Sequence, residues 1–373
     1  MYEWLATAPF GLEGVVAEEL RDLGMQEVRA GTGGASFTGT PADAFRANLW
    51  LRCADRVLLV VGRFQATTFD ALFEGVRALP WEKWIPADAR FPVSGNCARS
   101  KLMSVSDCQS ITKKAIVERL KARHRTAFLP EKAETYAVQV ALHADTATLT
   151  LDTSGPGLSR RGYRTWNGEA PLRETLAASL VTLSPWRPGQ PFVDPMCGTG
   201  TLLIEAAFVA ANRAPGLARE FACEGWRWMP GEEMQTLRQE AKAAVNVGAV
   251  EGIAGSDVDE GALELARRHL EQAGLTGRIP LQRVDVRDLV LPEGRGVVLT
   301  NPPYGQRLSD AKGCESIARG LRRLQDASGW TVCPFTAFSG FERAFGRRAN
   351  KRRRLYNGRL ECEFMTFYPK REK

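Results

Sequence analysis

Along the 373-residue chain, short apolar runs bounded by turn residues alternate with segments whose apolar positions recur every three or four residues. Val57–Phe64 (VLLVVGRF) reads as a strand and Gly14–Leu23 as a helix. Ser106–Arg123 reads as a second helix, with Ile111, Ala115, Ile116 and Leu120 on one face and Lys113, Lys114, Lys121 and Arg123 on or near the polar side. Tyr136–Leu142 and Thr146–Leu151 read as paired strands around His143-Ala144-Asp145. This mixture predicts an α+β region up to about residue 155, either as one unit or as two small layers.

Asp152–Pro171 is rich in Gly, Pro, Ser and Arg and reads as an interdomain linker, in which Trp166 can pack between domains or stack on a base. Leu172–Leu183 looks helical and is ended by prolines 185, 188 and 191. The pattern then becomes regular. Strands are expected at Phe192–Val193, Ile253–Ser256, Ile279–Val284, Gly296–Thr300, Trp330–Phe338 and Glu361–Tyr368, with helices at Leu202–Asn212 and Glu260–Ala273. Repeated strand–helix order means βαβ units and a parallel sheet covered on both faces. Asn357-Gly358 joins Lys351–Tyr356 to Leu360–Phe367, a hairpin signal that makes the last strand antiparallel and puts its turn at the ligand-binding edge. The expected divisions are the α+β region up to about residue 155, a linker over 156–171 and the α/β domain over 172–373.

Composition narrows the class. The chain is 44% hydrophobic and 25% charged, which excludes collagen, long disorder and a disulfide miniprotein. No apolar run reaches the roughly 18–20 residues of a membrane span, and the first residues do not look like a secretory signal. Eight scattered cysteines without a Cys-x-x-Cys, beside three histidines, give no support for a metal site and point to reduced, cytoplasmic thiols. The net charge of +7 is concentrated: Arg343–Lys373 holds 11 basic and 3 acidic residues, so the rest is close to neutral. Such a patch is either a solvated face or the footprint of a polyanion.

Four strand ends carry chemistry, and in open α/β sheets ligands bind at the carboxyl ends of the strands. Asp194-Pro195-Met196-Cys197-Gly198-Thr199-Gly200-Thr201 runs from a strand through a glycine turn into a helix. Its amides can approach a ligand and bind anionic groups, or simply make a tight turn. Asp257 can accept from both ribose hydroxyls, or cap the next helix. Asp285 can accept from an adenine amine while the Val286 amide donates to the ring, or stand as a loop aspartate. At Asn301-Pro302-Pro303-Tyr304 two prolines leave carbonyls free as acceptors. With the Asn301 oxygen these can hold a planar NH₂, and Tyr304 can stack on its base; the alternative is a rigid Pro-Pro turn.

Together, Asp194–Thr201 and Asn301–Tyr304 resemble the class I S-adenosylmethionine-dependent methyltransferases of exocyclic amines. Ala170–Ala177 (APLRETLA), the stretch from Ala214 to Trp226, and Asn301–Leu308 (NPPYGQRL) are similar to the bacterial large-subunit (23S) rRNA guanine-N2 methyltransferases, in a first-half or stand-alone form. Asp107-Cys108-Gln109 with Lys113 and Lys114 resembles the signature of their THUMP RNA-binding module. Some members fuse a second methyltransferase domain, for which this chain leaves no room.

The resemblance implies a ferredoxin-like subdomain over 1–60, THUMP over 61–155, and a Rossmann-like, seven-stranded methyltransferase sheet with an antiparallel last strand over 172–373. It implies S-adenosylmethionine as cofactor, S-adenosylhomocysteine as product and no metal. Asp194, Pro195, Met196, Cys197, Gly198, Gly200, Thr201, Asp257, Asp285, Val286 and Asn301 are the implied cofactor contacts. Asn301, Pro302, Pro303 and Tyr304 are the implied catalytic group. Lys113, Lys114, Lys351, Arg352, Arg353, Arg354 and Arg359 are the expected RNA contacts. The expected partner is RNA, as large-subunit rRNA or an assembly intermediate, met by a cytoplasmic monomer and no membrane. A tRNA guanine-N2 methyltransferase, a DNA adenine-N6 methyltransferase and a non-catalytic ribosome-assembly protein are the alternatives.

Overall fold

The computed structural model describes residues 1–164, 172–304 and 311–369, so Trp166, Ala170, Pro171 and the stretch from Gly305 to Leu308 lie outside the described residues. The first half of the chain supplies β1 (Tyr2–Thr7), α1 (Glu13–Asp22), β2 (Gln26–Gly31), β3 (Gly34–Gly39), α2 (Pro41–Trp50) and β4 (Arg56–Gln65). It continues with α3 (Phe69–Ala78), β5 (Val93–Ala98), α4 (Val105–His124), β6 (Val138–His143) and β7 (Thr146–Asp152). These strands make one mixed sheet in the order β2-β3-β1-β4-β7-β6-β5. β4 carries the sheet across position 60: Arg56–Leu59 pairs with β1, and Leu58–Gln65 with β7. The register shifts between Val60 and Gly62, so the strand bends at the point where its partners change.

Helix ends follow local chemistry. Thr40 and Asp43 form a reciprocal capping box at α2, with Pro41 at its first position. Ser104 caps α4 by accepting from the Asp107 N–H.

The second half contains α5 (Glu174–Leu183), β8 (Phe192–Asp194), α6 (Thr201–Ala210), α7 (Gly231–Ala243), β9 (Ile253–Asp257) and α8 (Glu260–Gln272). Next come β10 (Leu281–Arg283), β11 (Val297–Thr300), α9 (Ala311–Ser328), β12 (Thr331–Thr336), α10 (Phe341–Phe345), β13 (Lys351–Asn357) and β14 (Leu360–Thr366). The sheet order is β10-β9-β8-β11-β12-β14-β13, parallel except for β14. The antiparallel last strand therefore inserts between β12 and β13 and leaves the basic strand β13 at the edge. β11 is buried throughout, with Val297 and Leu299 facing one core and Val298 the other, as a parallel strand covered by helices on both faces must be.

The two halves share the larger apolar core, which runs from Trp4 to Phe364. The Ala214–Trp226 segment is part of that seam. The Gly216 N–H donates to the Leu49 carbonyl at 3.0 Å. Trp226 stacks on Tyr136 at 4.6 Å and donates from Nε1 to the Thr135 carbonyl at 3.0 Å.

The Gly/Pro-rich stretch after β7 is packed rather than solvated over its described part, because Asp152, Thr153, Ser154, Leu158, Arg161 and Tyr163 are buried. Asn48 on α2 donates to Thr153 Oγ1 at 2.8 Å and accepts from Ser154 Oγ at 2.6 Å. Composition alone reads as a linker because glycine and proline set the backbone angles of turns whether or not those turns are buried.

Candidate active site

The carboxyl ends of β8, β9 and β11 meet at one edge of the second sheet. Asp194 ends β8 and is 1% exposed. It accepts from the Met196 N–H at 3.2 Å, and the Thr300 hydroxyl at the end of β11 lies beside it. Burial pushes its carboxyl up to about 7, and the Asp257 charge adds to the rise.

The glycine turn is organised differently from the anion-binding expectation. The Gly198 N–H donates to Asp257 Oδ2 at 2.8 Å, the Cys197 N–H to the Ser256 carbonyl at 2.9 Å, and the Gly200 N–H to the Cys197 carbonyl at 2.8 Å. These amides are spent inside the protein, so the turn does not offer them to an anion. Gly198 (φ +52°) and Gly200 (φ +83°) both take left-handed backbone, and a Cβ on Gly198 would meet nothing within 4 Å. Asp257 Oδ2 holds the amide of this glycine, and neither it nor the buried Asp194 has an ion-pair partner among the described residues.

Asp257 is not the cap of α8. Asp259 caps α8, accepting from the Gly261 and Ala262 N–H groups at 2.8 and 3.3 Å. Asp257 is left to hold the glycine turn through Oδ2 and the Asp259 N–H, at 3.0 Å, through Oδ1.

Asp285 already has protein partners. Arg287 donates to it from Nε at 2.8 Å, from Nη2 at 2.6 Å and from its own N–H at 2.8 Å, which holds this carboxyl below the usual range. Val286 is buried against α9. Thr201 is buried and accepts from Arg164, whose other nitrogen pairs with Glu174 at 3.2 Å. Burial raises the Cys197 thiol well above its ordinary range.

After β11, Pro302 is buried and Asn301, Pro303 and Tyr304 are half-buried. The Pro303 carbonyl accepts from Cys314 Sγ at 3.5 Å. The Tyr304 hydroxyl donates to Asn301 Oδ1, so the side-chain acceptor of this bend is occupied from within. Asn357 and Cys362 lie against the same hydroxyl, and burial pushes the phenol upward. The hairpin turn therefore reaches the edge that carries Asn301.

A buried polar cluster missed by sequence reasoning supports α6 from below the turn. Glu205 accepts from Tyr163 at 3.0 Å and faces Arg161 Nε at 3.5 Å. Arg161 also donates to the Leu158 carbonyl at 2.8 Å and to the Arg52 carbonyl. The one available signal was Arg160-Arg161-Gly162-Tyr163-Arg164, an unusual charge density for a loop beside an apolar helix.

The expected RNA contacts are dispersed. Lys113 is occupied structurally: it donates to the Phe91 carbonyl at 3.0 Å and pairs with Glu131 at 2.6 Å. Lys114 lies 5.6 Å from the Phe73 ring. Lys351, Arg352, Arg353 and Arg354 are exposed on β13; Arg352 faces Glu342 and Arg354 faces Glu361, both at 3.5 Å. Arg353 and Arg359 have no ion pair among the described residues. Lys351 begins the strand about 20 Å from its turn, so the run leads away from the catalytic edge.

Residues 161–366 match the family model described as RMKL-like, methyltransferase domain. The chain belongs to the RMKL-like methyltransferase family. Residues 3–58 match the RlmL ferredoxin-like domain and 66–152 the THUMP domain of this architecture. A Bacillus subtilis protein named "Putative RNA methyltransferase YpsC" is 42% identical over 99% of this chain and 96% of its own length. A "Ribosomal RNA large subunit methyltransferase K/L" from Syntrophotalea carbinolica is 37% identical over 98% of this chain, which spans only 53% of that relative.

Among solved structures, SMU.472, described as "a putative methyltransferase complexed with SAH", superposes with TM-score 0.94 at 39% identity, covering 100% of this chain and 99% of that one. A Listeria monocytogenes protein described as "a predicted N6-adenine-specific DNA methylase" has the same TM-score at 42% identity, covering 99% and 96%. The RMKL-like domain is an S-adenosylmethionine-dependent methyltransferase, and the open space at Gly198, whose amide Asp257 holds, leaves room for a cofactor at this strand edge. Among the described residues there is no group of three or more potential metal ligands, and no helix is long and apolar enough to cross a membrane.

Proposed function

We propose that this protein methylates the exocyclic N2 of a guanosine in large-subunit (23S) rRNA. The observation that carries the reading is the Asn301-Pro302-Pro303-Tyr304 bend at the end of β11, the neighbour of β8 with its buried Asp194. The THUMP match supports an RNA substrate, and the K/L relative's being named a ribosomal RNA large subunit methyltransferase is the ground for preferring rRNA.

Bound S-adenosylmethionine supplies an electrophilic methyl group. The chain's own residues position the partner. Asp194 and Asp257 provide negative charge on either side of the glycine turn, with Pro195, Met196, Cys197, Gly198, Gly200 and Thr201 shaping its wall. Asp257 takes the ribose hydroxyls, while Asp285 and the Val286 amide take the adenine. Asn301 Oδ1 and the Pro302 carbonyl accept the two N–H groups of the target amine, favouring a pyramidal nitrogen with its lone pair directed outward. The amine replaces the Tyr304 hydroxyl on Asn301 Oδ1, which frees Tyr304 to stack on the base. No side chain is assigned as general base, because the nitrogen becomes acidic once methylated and cationic.

The ferredoxin-like region (1–60) and THUMP (61–155) hold structured RNA, joined through residues 156–171 to the methyltransferase domain (172–373). Lys114, Lys351, Arg352, Arg353, Arg354 and Arg359 contact phosphates. Lys113 orders the THUMP fold instead of meeting a phosphate. The protein acts as a cytoplasmic monomer on an unpaired or flipped base.

The test is methyl transfer from labelled S-adenosylmethionine to unmodified 23S rRNA, tRNA and duplex DNA, followed by nucleoside analysis. N2-methylguanosine in 23S rRNA alone is expected. Label in tRNA, or as N6-methyladenine in DNA, overturns the substrate and keeps the chemistry. Cofactor binding without transfer to any of these directs the search to an assembly intermediate.

A further inference from the structure

The turn between β1 and α1 is pressed onto the free edge of the second sheet. Gly11 has φ +86°, and a Cβ there would stand 3.1 Å from the Arg354 carbonyl oxygen and 3.3 Å from Leu355 Cδ2. The Leu12 N–H closes the turn on the Pro9 carbonyl at 3.1 Å, and the Gly11 N–H donates to Glu13 Oε2 at 2.8 Å. The turn is thus fixed by its own bonds and by the strand beneath it. Phe10, at its tip, is nevertheless 67% exposed. Its ring meets that of Tyr356 edge-on, with centroids 6.0 Å apart and planes at 75°. Tyr356 is itself anchored, donating to Glu361 Oε2 at 3.0 Å.

Burying a phenylalanine side chain is strongly favourable, and this turn withholds most of that gain. The residue after Tyr356 is Asn357, which lies against the Tyr304 hydroxyl. Tyr356 and Asn357 are successive residues whose side chains leave opposite faces of the edge strand β13, so the aromatic pair sits at the same end of the sheet as Asn301, around that edge from Tyr304. The pair's charged neighbours are Arg354, which shares Glu361 at 3.5 Å, and Arg359, exposed in the hairpin turn with no ion pair among the described residues.

We infer that Phe10 and Tyr356 form a stacking platform for an unpaired RNA base flanking the target nucleotide, with Arg359 on the adjoining phosphate. The platform is composite: the ferredoxin-like region contributes one ring and the methyltransferase domain the other. Docking of the two regions thereby builds part of the substrate site. The inference rests on RNA being the substrate.

The experiment is fluorescence anisotropy with a short, labelled, unpaired RNA of mixed sequence, run as a salt series on the full chain. Phe10→Leu keeps an apolar contact to Tyr356 but has no ring face to stack on, whereas Phe10→Trp keeps the ring. Phe10→Leu is expected to bind roughly 5- to 100-fold more weakly, with melting temperature, S-adenosylmethionine affinity and log-salt slope unchanged. Phe10→Trp is expected to bind as wild type. Arg359→Ala is expected to lower the slope. Wild-type affinity in Phe10→Leu, with the wild-type protein binding the RNA, overturns the platform and leaves the proposed function standing. Failure of the wild-type protein to bind any RNA removes the RNA reading and the platform with it.

Discussion

Asp194→Asn isolates the electrostatics of the proposed cofactor site. In the folded protein burial raises the Asp194 carboxyl from its ordinary 3.8 to about 7. A rise of that size is worth about 4 kcal/mol held against the charged form. Below about pH 4 the group is neutral in both folded and unfolded chains and costs nothing. Between about pH 4 and 7 the unfolded chain gives up the proton while the folded protein keeps it, so stability falls as pH rises. Above about pH 7 the loss is complete. Asparagine retains an acceptor for the Met196 N–H, now at 3.2 Å, and removes the charge. Without cofactor, Asp194→Asn should therefore exceed the wild type in stability by up to about 4 kcal/mol at alkaline pH and by less than about 1 kcal/mol at acid pH. Urea denaturation of both proteins across this range measures the gap. Saturating S-adenosylmethionine should stabilise the wild type far more than the variant, because only the carboxylate gains from a nearby cation. A gap that stays constant with pH would refute the argument.

Asn301→Ala should lower kcat by about 10²-fold or more while retaining cofactor affinity; a parallel loss in calorimetric affinity would place the residue on the cofactor instead. Gly198→Ala adds a methyl group into open space at φ +52°, so folding should lose only about 1 kcal/mol. Cofactor affinity should nevertheless fall by about tenfold or more, and unchanged affinity would mean that the space beside Gly198 is not used. Glu205→Ala strands the buried Arg161 guanidinium and should cost about 3–5 kcal/mol in denaturant unfolding; a change under about 0.5 kcal/mol would show the cluster to be dispensable. Replacing Lys351 to Arg354 by serine should reduce the log-salt slope of RNA binding by about 0.7 for each phosphate no longer neutralised, and an unchanged slope would make the run a bystander.

Much of this architecture is legible without coordinates because side-chain periodicity is a local property. Ile253–Asp257, Val297–Thr300 and Glu260–Gln272 lie within a residue or two of where apolar spacing puts them. Asn357-Gly358 announces its hairpin, although Asn357 ends the strand opposite Leu360 and the two turn residues are Gly358, at φ +64°, and Arg359. The strand ends at Asp194, Asp257 and Asn301 are legible for the same reason, since strands and helices alternate regularly around them, whereas β10 stops at Arg283, short of Asp285.

Partnership is another matter. Asp257 and Asp259 have the same chemistry and stand two positions apart. The bonds to Gly198 and to the start of α8 assign one to the glycine turn and the other to the helix cap. Lys113 and Lys114 are adjacent, yet Glu131, 18 residues away, neutralises only the first. Arg161 and Arg164 sit in a stretch with linker composition but serve a buried helix. Phe10 comes to lie beside Tyr356, more than 300 residues along the chain, through the packing of two sheets. Pattern along the chain specifies which face of an element is apolar. Which groups meet across those faces depends on sheet order, register and close packing between distant segments, and these are settled only when the whole core forms.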